Sequence, residues 1–130
     1  MVDSSMSPSR PYLIRALYDW ILDNGFTPYI LVDVADERVV VPTQYVENGR
    51  IVLNVNPSAV QNLQLGNELI ELDARFSGKP MHVVVPVMSV MAIYARENGK
   101  GMVFTEEDGG GDEPPPEKED AKRPTLRVVK

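Results

Sequence analysis

The hydrophobic pattern begins with one helix. Apolar residues recur at intervals of three and four positions, at Leu13, Leu17, Trp20 and Ile21, which is the spacing of one buried helical face. Ser9 is placed to cap this helix, Pro11 fits its first turn, and Gly25 supplies the stop. Tyr12 and Ala16 widen the apolar arc beyond one packing surface. The helix is therefore either simply well buried or also packed, through Tyr12 and Ala16, on a second subunit.

After the helix, the pattern changes to short strands. β-branched runs predict strands at two places, 29–34 and 39–41. Pro42 ends the second run, as expected for an edge strand or a strand end. Asn48-Gly49 favours a type I′ turn and stands between residues 44–46 and 51–55. We therefore expect a tight hairpin at this point of the chain.

Alternation of apolar and charged residues predicts a further strand over 68–76, followed by a turn at 77–80 and another strand over 81–85. After Pro86, apolar residues recur at helical spacing at Val87, Val90, Met91 and Tyr94. They predict a second, short helix that ends before Gly99. The whole pattern favours a mainly β (α+β) domain with one N-terminal helix, built as a partly open barrel or as two packed sheets.

Charge divides the chain into three parts. Residues 1–104 hold 11 acids and 8 bases, residues 105–122 hold eight acids and two lysines, and residues 123–130 hold three bases. The middle part also contains three consecutive glycines and three consecutive prolines, so it cannot bury enough apolar area to offset its chain entropy. We expect a folded domain over 1–104, a disordered acidic linker over 105–122 and a short tail over 123–130.

The tail has a pattern of its own. It combines three aliphatic residues with positive charge, as Leu126, Arg127, Val128, Val129 and Lys130. This pattern is typical of a docking peptide that joins the sheet or groove of a partner. The alternatives are an unpartnered β-prone end or a strand that folds back on the domain.

The residue types exclude several classes of chemistry. The chain has no cysteine and one histidine, His82, so disulfides and thiolate sites are excluded, and we expect no metal, no cofactor and no catalysis. The net charge of −6 and the lack of a broad basic surface argue against nucleic-acid binding. Without a signal peptide or a membrane-spanning stretch, the chain is expected to be a cytoplasmic protein.

Short segments, in this order and spacing, resemble the family of stringent starvation protein B (SspB), the adaptor that delivers ssrA-tagged proteins to the ClpXP protease. The resemblance rests on Arg10-Pro11-Tyr12-Leu13, Tyr18-Asp19-Trp20, Asp23-Asn24, Thr27-Pro28, Ile51-Val52-Leu53-Asn54, Asn62-Leu63, Ala74-Arg75-Phe76, the run 92–99, Arg123-Pro124 and the run 126–130. It covers nearly the whole chain. Each segment alone is weak, but the ordered set together with the acidic linker is specific.

The resemblance implies an Sm-like, partly open β-barrel that dimerises through its N-terminal helix, with Tyr12 and Ala16 as contacts. It implies a groove for the ssrA tag, for which the candidate residues are Tyr45, Ile51, Leu53, Asn54, Ala74, Arg75, Phe76 and His82. It also implies that the tail binds the zinc-containing N-terminal domain of ClpX through Leu126, Arg127, Val128 and Val129. The alternative is an Sm-like RNA-binding protein, which the acidic charge of the domain disfavours.

Overall fold

The computed structural model describes residues 6–105 as one α-helix, seven strands and two 3₁₀ turns. The helix α1 spans Arg10–Asp23, and the 3₁₀ turns span Thr43–Tyr45 and Val87–Ser89. The strands are β1 (Pro28–Asp33), β2 (Arg50–Asn54), β3 (Val60–Leu65), β4 (Leu69–Phe76), β5 (Lys79–Pro86), β6 (Val90–Ala95) and β7 (Gly101–Val103). Apart from Thr105, the predicted linker over 105–122 and the tail over 123–130 lie outside the described residues.

The strands form two antiparallel sheets. One has the order β2-β1-β6-β7 and the other has the order β3-β4-β5. The two sheets do not close into a complete barrel. This confirms the predicted mainly β class with an N-terminal helix, whereas the finer assignment to the Sm-like fold stays a prediction.

One hydrophobic cluster joins α1 and both sheets. Its buried side chains include Ile14, Ile21, Ile30, Val32, Ile51, Leu53, Ile70, Leu72, Val83, Val85 and Ile93. Along β2, β4 and β5 buried residues alternate with more exposed ones, because successive side chains of a strand point to opposite faces. The face of the three-stranded sheet that points away from the core is therefore accessible to a ligand.

Helix α1 has the predicted bounds but not quite the predicted faces. Its C-terminal end is closed by Asn24, whose side-chain amide donates to the carbonyl of Trp20 at 2.8 Å, and by Gly25 at φ 79°. The side chain of Ser9 makes no cap hydrogen bond, so that part of the prediction is wrong. Trp20, which the pattern places on the buried face, is 48% exposed, because it follows Ala16 by four positions and lies on the same outward side of the helix. Ile14, which the predicted face does not include, is buried.

A buried arginine anchors the start of α1. The guanidinium of Arg10 donates to the carbonyls of Met88 at 3.0 Å and Val90 at 3.2 Å, and to that of Thr105. It also lies over the ring of Phe104, 5.2 Å from the ring centroid. These contacts tie the helix to the start of β6 and to Thr105, the last described residue.

The predicted second helix is wrong. The residues after Pro86 form the 3₁₀ turn Val87–Ser89 and then strand β6, which pairs with β1 and β7. β6 is an inner strand with apolar residues on both faces, and Val90, Ala92 and Ile93 are all buried. Because every position of β6 is apolar, Val90, Met91 and Tyr94 fall at helical spacing by chance.

The predicted hairpin turn is confirmed, but the strand before it is wrong. Asn48 and Gly49 have φ of 56° and 78°, as a type I′ turn requires. Residues 43–45 form a 3₁₀ turn that follows Pro42, and β2 pairs with β1 instead. The expected strand over 39–41 is reduced to a single bridge between Val40 and Val84.

Candidate functional site

A cleft of about 380 Å³ opens at one edge of the three-stranded sheet. It is lined by Pro57, Ser58, Ala59, Val60, Gln61, Asp73, Ala74, Arg75 and Pro80. The lining comes from the loop before β3, from the first two residues of β3, from the last part of β4 and from the start of β5. The cleft therefore lies where the β2–β3 connection passes beside the β4–β5 hairpin.

The loop on one side of the cleft is held by its own hydrogen bonds. The side-chain oxygen of Asn56 accepts hydrogen bonds from the backbone amide and the hydroxyl of Ser58, both at 2.8 Å. The carbonyl of Asn56 accepts from the amides of Ala59 at 2.8 Å and Val60 at 3.2 Å. Asn54, one of the predicted groove residues, accepts from the amide of Asn56 at 2.9 Å. Asn54 therefore helps to hold the loop that lines one side of the cleft.

The polar face of the three-stranded sheet carries a hydrogen-bonded cluster. His82 Nδ1 lies 2.7 Å from Asp73 Oδ1, and His82 Nε2 lies 3.0 Å from Glu71 Oε1. The side-chain amide of Asn62 donates to Asp73 Oδ2 at 2.9 Å. Asn62 has φ 58° where the pairing of β3 and β4 shifts register, and this bulge aims its side chain at Asp73.

These contacts set the protonation of the cluster. Hydrogen bonds to Asp73 and then to Glu71 raise the pKa of His82 above its usual value. The hydrogen bonds from Asn62 and then His82 hold the pKa of Asp73 below its usual range. The arrangement therefore favours a cationic imidazole beside two carboxylates.

Arg75 and Ala74 give the cleft a basic and an apolar wall. The guanidinium of exposed Arg75 donates through one nitrogen to the carbonyl of Gly78 at 3.0 Å, which orients its remaining donors. Ala74 lies on the opposite face of β4, paired with Val60 on one side and Met81 on the other. The cleft thus offers backbone, a small apolar surface and a planar cation to a ligand.

Tyr45 and Phe76 form a second contact close to the β4–β5 turn. Their ring centroids lie 5.8 Å apart, and Tyr45 Oη lies 2.5 Å from Ser77 Oγ. Phe76 follows Ala74 by two positions and so shares its face of β4. Neither aromatic residue lines the cleft itself, so their predicted part in a groove stays a prediction.

Ile51 and Leu53 lie in the core, where their side chains are 3% and 4% exposed. They can reach a ligand only through the backbone of β2, which is an edge strand of its sheet. Their side chains stabilise the domain, and β2 runs directly into the loop that lines the cleft.

The outer side of α1 is a separate surface. Tyr12 is 52% exposed, and Ala16 and Trp20 are also exposed, at successive intervals of four positions along one side of the helix. The guanidinium of Arg15 lies over the ring of Tyr12 at 4.7 Å from the centroid, and it donates to the carbonyl of Leu65 at 2.9 Å. The two residues predicted as dimer contacts are therefore accessible and aligned.

Comparison with known proteins decides the family. Residues 8–125 match the family model described as SspB, stringent starvation protein B. The chain belongs to this family. It is also 52% identical over 102 residues to a protein of Haemophilus influenzae named stringent starvation protein B homolog. The aligned segment covers 78% of this chain and 68% of that protein. The resemblance predicted from the sequence is thereby confirmed.

Most of the cleft lining was missing from the sequence-based prediction. Ala74 and Arg75 were predicted, whereas Asp73, Pro80, the loop residues 57–59 and the first two residues of β3 were not. The signal that could have found the loop is the succession of Asn54, Asn56 and Pro57, since such residues favour turns. The predicted docking residues lie outside the described part of the chain: Leu126, Arg127, Val128 and Val129.

Residues 6–105 carry neither a cluster suited to a metal ion nor a helix suited to span a membrane. No cluster of three or more His, Cys, Asp or Glu side chains suited to a metal ion occurs among them. Nor is the helix in this part of the chain long and apolar enough to cross a bilayer.

Proposed function

We propose that the chain is a non-enzymatic, cytoplasmic adaptor that binds the ssrA tag of substrates in the cleft and docks on the N-terminal domain of ClpX through its tail. The observation that carries this proposal is the cleft at Ala74 and Arg75, in a chain that belongs to the stringent starvation protein B family. This lining suits binding without chemistry, since it combines backbone, small apolar and polar groups, the guanidinium of Arg75 and the carboxylate of Asp73.

An extended peptide fits such a site for physical reasons. The cleft borders β3, the edge strand of its sheet, and an edge strand has backbone groups that can pair with a peptide. Ala59 and Ala74 leave room for peptide side chains, and Arg75 can bind a carbonyl or a carboxylate through two donors at once.

Delivery follows from joining two binding sites by a linker. A flexible linker of about 18 residues would span roughly 25 Å as a random coil. When the cleft holds the tag and Leu126–Val129 hold ClpX, the substrate stays at high local concentration near the protease. Such linkage raises avidity by about 10²–10⁴.

We also propose that the chain forms a homodimer through α1. Tyr12, Ala16 and Trp20 give the helix an apolar line that a second copy, related by a two-fold axis, would cover. A dimer has two clefts and two tails, so two weak contacts with ClpX act together.

The test is degradation of an ssrA-tagged fluorescent protein by ClpXP at low substrate concentration, with and without the full chain. We expect the chain to lower the apparent KM. A version that ends at Ala121 lacks the tail and should bind the tag peptide normally but give no such decrease. If the shortened version still enhances degradation, or if the full chain has no effect, the proposal is contradicted.

A second variant isolates the linker. Residues 105–122 are replaced by a Gly/Ser sequence of equal length, which keeps the reach but removes the charge. Delivery should persist, because only length and flexibility are needed. Complete loss of delivery would show that the linker sequence is itself recognised.

A further inference from the structure

The position of His82 has a consequence for ligand choice. Both of its ring nitrogens lie within hydrogen-bond distance of a carboxylate oxygen, at 2.7 Å from Asp73 and 3.0 Å from Glu71. A neutral imidazole has one N–H and one acceptor nitrogen, and only the imidazolium donates from both. The geometry is therefore that of the cation, and loss of its proton places a lone pair against a carboxylate.

One of these carboxylates belongs to the cleft. Asp73 lines it, and its other oxygen accepts from Asn62 at 2.9 Å. While His82 is protonated, both oxygens of Asp73 are therefore occupied by donors from neighbouring strands. When His82 loses its proton, one of its two contacts must break, and the cleft side of the sheet gains one negative charge.

The charged neighbours of His82 on this face are few. On β4 these neighbours are Glu71, Asp73 and Arg75. On β3 the neighbours are the uncharged residues Gln61, Asn62 and Gln64. On β5 itself, the residues two positions before and after His82 are Pro80 and Val84, which carry no charge. Glu68 precedes β4 and interacts with Arg38. With His82 protonated, the two carboxylates of this face are balanced by two cations, and without that proton the face is acidic.

We propose that His82 is a positioning residue that makes the charge preference of the cleft depend on protonation. The imidazolium of His82, which bridges Glu71 and Asp73, lets the cleft accept acidic peptides. Loss of its proton shifts the preference towards basic peptides. This inference rests on the proposed function, since it assigns the charge selectivity of the same cleft. It concerns residues of this chain, and its direct consequence is a peptide preference that varies between about pH 5.5 and 8.5, the range around the usual histidine pKa.

The binding experiment uses the full chain and two sets of fluorescein-labelled ssrA tag peptides. At successive positions, one residue is replaced by Asp in the first set and by Lys in the second, because neither side chain titrates between pH 5.5 and 8.5. Fluorescence anisotropy gives the affinity ratio of each Asp peptide to its Lys partner. Taking a ratio cancels any pH effect that is common to both.

For the position that lies beside Asp73, the ratio should fall about fivefold as the pH rises across this range, since one charge changes within several ångströms of the peptide. In the His82→Gln variant the ratio should be constant, while circular dichroism shows that the fold is kept. A ratio that does not change with pH in the natural sequence at any position would overturn the inference and leave the adaptor function standing. A change that persists in His82→Gln would also overturn it.

A second readout does not depend on peptide binding. His82 is the one histidine in the sequence, so its ring protons can be followed by NMR without overlap. We expect its pKa in the free protein to lie above about 6.5, to fall in Asp73→Asn, and to rise with bound Asp peptide and fall with bound Lys peptide, as linkage requires. A pKa that does not respond to Asp73→Asn would remove the bridge. If no peptide binds at any pH while the bridge is intact, the proposed function fails, and the selectivity fails with it.

Discussion

Two exposed surfaces of this domain differ in how they are built. The outer side of α1 carries an apolar line of Tyr12, Ala16 and Trp20. The cleft side of the β3-β4-β5 sheet is polar, and its groups are already paired, with Asp73 held by two donors. A surface that is apolar and regular suits burial against a rigid copy of itself, whereas a surface with fixed donors and acceptors suits selection of a peptide. Because the two surfaces lie on different elements, one should be breakable without the other.

The largest expected effect is to block the cleft. Ala59→Trp places a bulky side chain in the loop that lines the cleft. Because Ala59 is exposed, the variant should still fold. The affinity for the tag peptide should fall at least about 100-fold, in the range of hot-spot changes, as measured by anisotropy. The control Ala35→Trp, at an exposed turn outside the cleft, should bind normally, and both variants should keep the dimer mass. Unchanged binding by Ala59→Trp would separate the cleft from the tag.

Breaking the helix surface should have the converse result. Tyr12→Glu puts like charges close together across the proposed two-fold axis, so light scattering should show monomers. Peptide affinity per subunit should change less than about twofold, because Tyr12 does not line the cleft. Asp23→Glu, at the end of the same helix, is the matched control. A dimer that survives Tyr12→Glu would remove Tyr12 from the interface.

A smaller effect is expected when the loop is loosened rather than filled. Asn56→Ala removes the acceptor for two hydrogen bonds from Ser58, at a cost of about 1 kcal/mol in loop stability. The tag affinity should fall about three- to tenfold. Asn24→Ala removes a similar side-chain hydrogen bond at the end of α1 and should leave the affinity unchanged. Equal losses in the two variants would mean that global stability, and not the loop, controls binding.

The smallest effect concerns acid stability on the side away from the cleft. Glu97 accepts hydrogen bonds from the amide and the hydroxyl of Thr27, at 2.9 and 2.7 Å, and these lower the pKa of Glu97 to about 2. A lowered folded-state pKa stabilises the fold above the unfolded pKa, and this stability is lost as the pH falls towards 2. Urea unfolding of Glu97→Gln should therefore show a deficit at pH 7 that shrinks between about pH 4.5 and 2. A constant deficit would contradict the role of the carboxylate charge.

How far the sequence predicts this fold depends on the burial of each strand. The sequence predicts β4 because its apolar and charged residues alternate, as one buried face requires, and it predicts β5 as the strand that follows the turn at 77–80. The pattern of β6 predicts a helix because this strand is apolar on both faces. β3 was not predicted at all, since Gln61, Asn62 and Gln64 interrupt its pattern and a bulge breaks its register.

β7 escaped prediction for a different reason. Its first residue is Gly101, which has a low strand propensity, yet a Cβ atom there would lie only 2.0 Å from the carbonyl oxygen of Ile93. Glycine is needed because β6 and β7 approach closely, and this requirement comes from tertiary packing. Such a requirement cannot be seen from a single local stretch.

The candidate site was predictable only in part. The resemblance to the family pointed to Ala74 and Arg75, and both line the cleft. The opposite wall comes from residues 57–61, which form the loop before β3 and its first two residues, and the pairing of β3 with β4 brings this wall to the cleft. The polar cluster of His82 includes the hydrogen bond from Asn62, at a bulge, to Asp73. No local sequence pattern predicts that contact.

The most direct test of this account is a titration of the full, ¹⁵N-labelled chain with the unlabelled ssrA tag peptide, followed by heteronuclear NMR. We expect the largest changes in amide shift in residues 58–61 and 73–75, which line the cleft, while the amides of Tyr12, Ala16 and Trp20 stay in place. Changes that concentrate on α1, with the cleft residues unmoved, would contradict it.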